Sequence, residues 1–429
     1  MKRSKYLIVG NSTAAVGAVE AIRQYDTEGS LTIVSDEKHP VYSRPLISYL
    51  LEEKTTVEKM KYRDDDFYQT HGIRLLSGIR ATSLDPVKKR VTLSDGTVEE
   101  YEKLLLATGS VPFLPPTPGC PEVNTGKGVF TFIKLDDALA LRQTLTPESR
   151  VVVVGGGLTG VKATEGILHT TRHVTMVELA PRVLPMALDD DASQVIQKRL
   201  TDAGVTVCCG ASVAQVETTP EGCVSGVVLT DGRTIPCDVL VLSIGVRPNV
   251  ALLEGTTIRK NRGIVIDRQG QTSVPDIYAA GDCVESLDRT DNQYRILAIL
   301  PNAYRQGKIA GTSMAGGTDA DQGTFPINAT SFLGLPLITA GLSNPRETAG
   351  LEIVVTSEEQ NYRKLVLRDG KLVGFILLGY EVTKRAGIFT SFLRDGTDLA
   401  TLSADIRTAS PELLLLDRAT RTAKIYQNT

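Results

Sequence analysis

Four short runs of apolar, mostly β-branched residues mark two similar units in the first part of the chain. The runs lie at 6–9, 31–34, 151–154 and 174–177. Continuous apolar runs of this length are typical of parallel strands that are covered on both faces. A glycine-rich loop and a helical pattern follow the first and third runs, which predicts helices at 14–25 and 158–169. The order strand, loop, helix, strand thus occurs twice and predicts two βαβ units of the dinucleotide-binding type.

The segments between and after these units predict crossings between domains. A buried strand opens 104–121 and runs into a proline-rich stretch that can be neither helix nor central strand. A second crossing follows 238–249, and a further strand ends at Gly281 and Asp282. Beyond residue 322 shorter strands, a hairpin turning at Asp369-Gly370 and a helical tail predict an α+β domain.

The second glycine loop has the stronger phosphate-binding signature. Gly155, Gly157 and Gly160 fit the pattern G-x-G-x-x-G directly after a strand and before a helix. These glycines permit a tight turn, close approach of a pyrophosphate and close helix–strand packing. The first helical residues, Leu158 and Thr159, are then expected to present backbone N–H groups to the phosphates.

Coenzyme choice is predicted from Glu178, which ends the next strand 23 residues after Gly155. A carboxylate there accepts hydrogen bonds from the adenosine ribose diol. It would also repel a 2′-phosphate, which favours NAD(H) over NADP(H). Arg182 lies close by in the sequence, so NADP(H) stays open at this point.

The first glycine loop departs from the pattern, with Ser at the second glycine position and Ala at the third. A strand before it, a helix after it and two acids after the next strand still favour a dinucleotide site. A βαβ unit with an empty site is the alternative. The candidate contacts are Gly10, Ser12, Ala14, Ala15, Asp36 and Glu37.

Seven segments together resemble the FAD-dependent pyridine nucleotide oxidoreductases over nearly the whole chain. They are IVGNSTAA, YSRPLIS, LLLATGS, VVVVGGGLTG, IGVRPN, IYAAGD and NAYRQGKIAG. The resemblance implies an α/β fold with two Rossmann-like dinucleotide-binding domains and a C-terminal α+β interface domain. The FAD domain is discontinuous and the NAD domain is inserted into it. The expected domains are 1–115 and 248–321 for FAD, 116–247 for NAD(H) and 322–429 for the interface.

The same resemblance implies roles for single residues. Asp36 is expected to hold the FAD ribose, Arg44 and Pro45 to line the cofactor, and Thr108 and Gly109 to lie under it. Asp282 is expected to bind the ribityl and pyrophosphate portion, with a turn aspartate as the alternative. Further candidate cofactor contacts are Gly245, Gly281, Asn302 and Ala303.

Cysteine positions separate the branches of this family. Disulfide reductases carry a Cys-x4-Cys pair after the first loop, and the peroxidase and coenzyme A disulfide branches carry one Cys near YSRP. Residues 10–60 contain no cysteine here, so a thiol relay is not expected. The chain therefore resembles the rubredoxin and ferredoxin reductases, in which electrons pass between the flavin and a protein. None of the six cysteines forms Cys-x-x-Cys, so reduced thiols and no metal site are expected.

Lys162 and Tyr49 are the candidate catalytic residues. Ferredoxin reductases of this family have Glu where Lys162 stands, and it pairs near the flavin with a Lys that aligns with Tyr49. Both partners differ in this chain, but one positive charge is still available near the flavin. Lys162 would supply it from the position at which the family has Glu, and it would stabilise reduced flavin. The alternative is a surface ion pair of Lys162 with Glu165 on a solvated helix face shared with His169.

Net charge and hydropathy limit the possible partners. Lys and Arg number 47 against 50 Asp and Glu, which gives −3 and no electrostatic case for nucleic acid or an anionic membrane. No apolar run reaches membrane-spanning length, and a cytoplasmic protein is expected. The predicted activity is electron exchange between NAD(H) and an iron or iron–sulfur protein such as rubredoxin or ferredoxin.

Two other functions stay open at this point. One is the FAD subunit of a multi-subunit 2-oxoacid oxidoreductase of the phenylglyoxylate type, which passes electrons from iron–sulfur subunits to NAD⁺. Because the chain has no iron–sulfur cysteine cluster, any cluster must lie on a partner. The other is a non-catalytic structural or regulatory subunit. A homodimer or a subunit of a hetero-complex is expected.

Overall fold

All four apolar runs are strands in the computed structural model, which describes residues 2–358, 361–402 and 405–407. Residues 408–429, which hold most of the predicted helical tail, lie outside the described residues. The strands are β1 Lys2–Val9, β2 Leu31–Ser35, β3 Ile73–Ser77, β4 Ala81–Asp85, β5 Arg90–Leu93, β6 Val98–Leu106, β7 Ser110–Pro112, β8 Val129–Thr131, β9 Val151–Val154, β10 Val174–Glu178, β11 Thr206–Cys209, β12 Val213–Thr218, β13 Val224–Leu229, β14 Thr234–Pro236, β15 Val239–Leu242, β16 Val246–Pro248, β17 Ile277–Ala279, β18 Ser286–Asp288, β19 Gln293–Arg295, β20 Ile327–Phe332, β21 Leu335–Gly341, β22 Glu352–Glu358, β23 Asn361–Arg368 and β24 Lys371–Leu378.

The helices that follow the two glycine loops begin and end close to the predicted positions. The α-helices are α1 Thr13–Tyr25, α2 Ile47–Leu51, α3 Phe67–Thr70, α4 Leu135–Thr144, α5 Leu158–Ile167, α6 Asp190–Asp202, α7 Leu300–Met314, α8 Tyr380–Thr383 and α9 Ala386–Asp395. Short 3₁₀ helices lie at Arg44–Leu46, Val57–Met60, Ala251–Leu253 and Leu399–Thr401. In the described ranges no helix is long and apolar enough to cross a membrane.

The chain divides into two compact units. The first comprises Met1–Leu114, Ile133–Leu139 and Gly245–Thr324, and the second comprises Pro115–Phe132, Ala140–Ile244 and Phe325–Thr429. The first unit therefore gathers both segments predicted for the FAD domain and adds a short segment from the predicted NAD domain. The second unit holds the rest of the NAD domain together with the predicted interface domain. The three predicted domain boundaries stay a prediction.

The first unit is built on a mixed sheet. Parallel strands run in the order β3-β2-β1-β6-β17, and β6 continues antiparallel into β5 and β4. Burial of both faces of β1 and β2 explains their continuous apolar sequence. Helices α1 and α7 pack very closely: a Cβ on Gly307 of α7 would lie 2.0 Å from the carbonyl oxygen of Ala14 in α1.

The second unit contains a parallel sheet, a small antiparallel sheet of β12, β13 and β14, and a larger antiparallel sheet in the C-terminal region. The parallel sheet has the order β11-β10-β9-β15-β8, and α5 crosses from β9 to β10. The antiparallel sheet of the C-terminal region has the order β20-β21-β24-β23-β22, with α9 on a face formed by residues such as Leu365, Phe375 and Leu377. The hairpin between β23 and β24 turns at Asp369-Gly370, as predicted, and both residues have positive φ.

Candidate functional site

Parallel strands of the first unit bring the predicted FAD contacts to one edge of the sheet. Gly10 follows β1, Asp36 follows β2, Thr108 follows β6 and Gly281 follows β17, each within two residues of the strand end. In open parallel sheets ligands bind beyond the carboxyl ends of the strands. Residues that are up to 271 positions apart in the sequence thus share one edge of the sheet.

The first glycine loop keeps the turn even though its pattern is incomplete. Gly10 has a φ of 117°, and a Cβ there would lie 2.0 Å from the carbonyl oxygen of Ala107. Glycine is therefore required at this position both by conformation and by the approach of the β6 end. Ser12 takes the N-cap position of α1, but its hydroxyl caps no backbone N–H and instead accepts a 3.4 Å hydrogen bond from Arg44.

The N-terminus of α1 is buried and lacks a capping side chain. Thr13, Ala14 and Ala15 are all at most 6% exposed. The first N–H groups of a helix have no intrahelical acceptor, and at a buried end they need another partner. The pyrophosphate of a dinucleotide is such a partner, so the residues present fit FAD at this edge.

Asp36 and Glu37 play different parts in the structure. The carboxylate of Asp36 accepts a 2.7 Å bond from Lys134 and keeps two-fifths of its side chain exposed. Partial burial raises the pKa of the Asp36 carboxyl, but the Lys134 bond and the positive charges of Lys134, Arg80 and Arg44 together hold that pKa below its ordinary value. Glu37 is buried and bound by the guanidinium of Arg44 and the hydroxyl of Tyr42. Asp36 therefore has the freer carboxylate for a ribose.

Arg44 is fixed at the start of the 3₁₀ turn that it forms with Pro45. Its guanidinium pairs with Glu37, donates to the Tyr42 hydroxyl at 3.1 Å and reaches the carbonyl oxygen of Ile133 at 3.4 Å. Pro45 occupies the first turn, where a missing N–H costs nothing. These contacts fix the orientation of the Arg44 guanidinium.

Thr108, Gly109 and Gly245 belong to a pair of crossing segments. The Thr108 hydroxyl donates to the carbonyl oxygen of Asn249 at 2.6 Å, and the Asn249 N–H donates to Gly109 at 2.9 Å. Gly109 and Gly245 have φ of 65° and 102°. The crossings predicted from the Pro-rich stretch and from IGVRPN thus meet as the two-stranded ribbon of β7 and β16.

Gly281 and Asp282 lie beside the helices that carry the other FAD candidates. The Gly281 N–H donates to the Gln306 side chain at 2.9 Å, and its Cα faces the side chains of Ala14 and Ala303. Burial raises the pKa of the Asp282 carboxyl, against the lowering effect of Arg44. A partly buried carboxylate of this kind is suited to accept hydroxyl donors from a ribityl chain.

Gln306 is a residue that the sequence did not single out. Its side-chain amide accepts a hydrogen bond from the Gly281 N–H and donates one to the Ser286 hydroxyl. Asn302 also donates to that hydroxyl, at 3.2 Å. The segment NAYRQGKIAG was recognised as a motif, but no pattern in it indicated that its Gln supports the Gly281 turn 25 residues away.

The second glycine loop has the predicted geometry. Gly155 has a φ of 106°, and a Cβ on Gly160 would lie 1.8 Å from its carbonyl oxygen. Gly157 is different: its φ of −75° suits any residue, and a Cβ there would meet nothing within 4 Å. Open space directly above the N-terminus of α5 fits a pyrophosphate, whose N–H donors would come from Leu158 and Thr159.

Glu178 is tied to the glycine loop itself. One carboxylate oxygen accepts from the Gly156 N–H at 2.6 Å and the other from the Ala180 N–H at 2.7 Å. Each carboxylate oxygen can accept more than one hydrogen bond, so capacity for a ribose diol remains. Arg182 pairs with Asp190 at 2.8 Å and donates to the Leu188 carbonyl oxygen at 3.3 Å, so its charge already has a carboxylate partner.

This arrangement sets an expectation for coenzyme preference. Flavin reduction should be at least about tenfold more efficient with NADH than with NADPH, because Glu178 would repel the additional phosphate. Rapid-mixing measurements of flavin absorbance with either coenzyme give the ratio of efficiencies. Glu178→Gln keeps an acceptor without the charge and should lower that ratio. Equal efficiencies in the wild type would mean that Arg182 exchanges Asp190 for the phosphate.

Lys162 forms the predicted ion pair with Glu165, at 2.6 Å, but the pair is not on a solvated surface. The two side chains are only 13% and 8% exposed. Lys162 also reaches the carbonyl oxygen of Ser331 at 3.4 Å, and Glu165 accepts from the Leu333 N–H at 3.1 Å. The prediction of a solvated face was wrong because β20 and its turn cover this side of α5.

His169 does not share that helix face, since α5 ends at Ile167. Tyr49 lies in α2 of the first unit, with the Lys54 ammonium 5.9 Å from its ring centre. The catalytic roles of Lys162 and Tyr49 stay predictions, as do the roles of the cofactor contacts.

The six cysteines are free thiols, and burial disfavours the thiolate form of four of them. Burial raises the pKa of Cys237 to about 12 and also raises the pKa of Cys283, Cys209 and Cys120. Cys208 is buried and its neighbour Cys209 is partly exposed, as strand alternation predicts. Thiols held in this protonated state are poor nucleophiles.

These sites and the fold define a flavin- and nicotinamide-dependent oxidoreductase. A family model described as pyridine nucleotide-disulphide oxidoreductase matches residues 4–307. The chain belongs to the pyridine nucleotide-disulphide oxidoreductase family. The predicted class, fold and cofactors are confirmed, and the chain is an enzyme that uses FAD and NAD(H).

Several relatives extend over most of the chain. The epsilon subunit of an NADH-dependent phenylglyoxylate dehydrogenase from Aromatoleum evansii is 33% identical over 407 residues, covering 94% of each protein. A rubredoxin–NAD(+) reductase from Pseudomonas putida is 29% identical over 368 residues, covering 86% of this chain and 94% of the relative. The crystal structure of a ferredoxin reductase from Rhodopseudomonas palustris matches with a TM-score of 0.80 and 27% identity, covering 92% of this chain and 98% of that one.

Proposed function

We propose that the protein exchanges electrons between NAD(H) and an iron–sulfur protein. The observation that carries this proposal is the combination of two dinucleotide edges with a first unit that has no cysteine at residues 10–60. A relay through a dithiol beside the flavin has no residues to use there. When bound, FAD supplies the conversion between a hydride pair and single electrons. The names of the rubredoxin and ferredoxin reductases among the relatives support the same partner class.

In this proposal one set of residues binds FAD and a second set binds NAD(H). The N–H groups at the start of α1 bind the FAD pyrophosphate, Asp36 binds its ribose and Asp282 binds the ribityl chain. The N–H groups at the start of α5 bind the pyrophosphate of NAD(H), and Glu178 binds its adenosine ribose. Arg44 holds its orientation through Glu37 before the cofactor arrives, so little conformational entropy is lost on binding.

A second candidate is supported by the relative from Aromatoleum evansii. That protein is a subunit, and it matches this chain over 94% of both lengths. In this case the protein is the FAD subunit of a larger 2-oxoacid oxidoreductase and passes electrons from iron–sulfur subunits to NAD⁺. Both candidates require an iron–sulfur partner in the cytoplasm. They differ in whether that partner is a separate carrier or a permanent subunit.

The test is anaerobic reduction by NADH of the FAD-loaded protein, first alone and then with oxidised rubredoxin or ferredoxin added. Rapid bleaching of the rubredoxin spectrum supports a separate carrier. Co-purification of iron–sulfur subunits from the native source, with NAD⁺ reduction driven by a 2-oxoacid, supports the assembly. Reduction of a disulfide substrate, with no electron transfer to either iron–sulfur partner, would contradict the proposal.

A further inference from the structure

The loop that follows Glu178 is held in place by the C-terminal sheet of the same unit. This coenzyme loop, residues 179–189, joins β10 to α6. The side-chain amide of Asn344 donates to the carbonyl oxygens of Pro185 and Leu188, at 3.2 and 2.8 Å. The Ser343 hydroxyl donates to the carbonyl oxygen of Ala187 at 3.4 Å. Backbone carbonyls of an otherwise irregular loop thus obtain their partners from the segment that follows β21.

The end of the coenzyme loop is fixed by a buried charge. Asp189 caps the N-terminus of α6 and accepts from the Tyr362 hydroxyl at 2.7 Å and the Lys364 ammonium at 2.8 Å. Lys364 lies on β23, an interior strand of the sheet, and is only 6% exposed. Burial of an ammonium is unfavourable unless it is paired, so removal of Lys364 leaves Asp189 partly buried without its counter-charge.

The coenzyme loop also contacts the second glycine loop directly. Leu184 is 1% exposed, has a φ of 52° and donates its N–H to the carbonyl oxygen of Gly156 at 2.7 Å. A left-handed conformation is unfavourable for leucine and persists only where surrounding contacts impose it. Gly156 in turn donates to Glu178. The conformation of the coenzyme loop therefore affects the positions of Gly156 and Glu178, which are proposed to face the adenosine half of NAD(H).

We propose that Lys364 and Tyr362 are positioning residues for NAD(H), acting through Asp189 and the coenzyme loop on Gly156 and Glu178. This inference rests on the proposed NAD(H) site at the second glycine loop and not on the identity of the electron partner. The C-terminal sheet thereby has a part in coenzyme affinity although it supplies none of the predicted coenzyme contacts. The C-terminal sheet holds the strained coenzyme loop in the conformation that keeps Glu178 aligned with the proposed ribose site.

The test uses ADP-ribose, which carries the adenosine half of the coenzyme and leaves the flavin oxidised. Isothermal titration of FAD-loaded Lys364→Met should show ADP-ribose binding about tenfold weaker than in the wild type, the effect expected when a buried charged hydrogen bond is lost. FAD content should be unchanged. The KM for NADH should rise while kcat at saturating NADH stays within twofold. Lys364→Arg keeps the charge and should retain most of the affinity.

Arg363→Met is the matched control on the same strand. Arg363 is 9% exposed but faces the other way, donating to the Thr356 hydroxyl and the Arg407 carbonyl oxygen at 3.2 and 3.0 Å. Its loss should leave ADP-ribose affinity within twofold of wild type. Equal losses in both variants would overturn the proposal, because they would report a general weakening of the sheet.

Tyr362→Phe decides the question if Lys364→Met does not fold, since it removes only the hydroxyl that contacts Asp189. It should weaken ADP-ribose about threefold. Wild-type affinity in Tyr362→Phe and in any folded Lys364→Met would overturn the proposed positioning role while leaving the coenzyme site intact. Failure of the wild type to bind ADP-ribose would instead overturn the proposed coenzyme site itself, and the positioning role with it.

Discussion

Gly307→Ala is expected to yield protein that purifies without FAD. A methyl group at this position would lie 2.0 Å from the carbonyl oxygen of Ala14 and 2.9 Å from its Cα. Ala ordinarily stabilises a helix interior by about 1 kcal/mol relative to Gly, so the expected sign is opposite to that of helix propensity. Helix α1 can relieve the overlap only by moving away from α7. That movement displaces the buried N–H groups proposed to bind the FAD pyrophosphate.

The measurement is the ratio of flavin to protein absorbance after purification, followed by titration of the apoprotein with FAD. Gly387→Ala is the control, because Gly387 lies in helix α9 and a Cβ there would meet nothing within 4 Å. The control should keep its FAD and gain slightly in thermal stability. Full FAD occupancy in Gly307→Ala would show that the two helices can separate without loss of the site.

Gly157→Val is expected to remove NADH-dependent flavin reduction while FAD content and folding stay unchanged. The φ of −75° at Gly157 suits valine, and no protein atom lies within 4 Å of the new Cβ. A side chain there fills the space above α5 that the pyrophosphate is proposed to occupy. Loss of two charge-assisted hydrogen bonds, each about 1.5–3 kcal/mol, corresponds to at least about a hundredfold weaker binding.

Two measurements separate this outcome from misfolding. ADP-ribose titration should show the loss of affinity, and chemical reduction with dithionite should still bleach the flavin normally. Gly387→Val, in equally open space, should bind ADP-ribose like the wild type. If Gly157→Val retained ADP-ribose affinity, the pyrophosphate of NAD(H) could not lie at the second glycine loop.

The parts of the fold that were predictable are those set by local sequence. Strand β9, Gly155 and α5 follow one another within seventeen residues, and the apolar run, the tight turn and the helical pattern each act over a few residues. The acid at the end of β10 follows from the same short unit. The first unit has the same order of strand, loop, helix and terminal acid as the second. The first loop could therefore be recognised although two of its glycine positions are occupied by other residues.

Features that depend on distant partners were not predictable in the same way. Glu165 accepts from the Leu333 N–H, 168 residues away, and this contact turns a surface pair into a buried one. Glu37 was also a candidate cofactor contact, but Arg44 and Tyr42 bind its carboxylate. Neither periodicity nor spacing encodes which carboxylate a distant cation will reach. Only tertiary packing determines that choice.

Helix α4 bears on how such an enzyme could be recombined. The segment Ile133–Leu139 groups with the first unit, where Lys134 pairs with Asp36 and the Leu135 N–H donates to the Tyr42 hydroxyl at 2.9 Å. An exchange of residues 116–247 between homologous enzymes would therefore separate Lys134 from Asp36 and the Leu135 N–H from Tyr42. A nucleotide-binding segment meant for exchange therefore has to leave Ile133–Leu139 with the first unit.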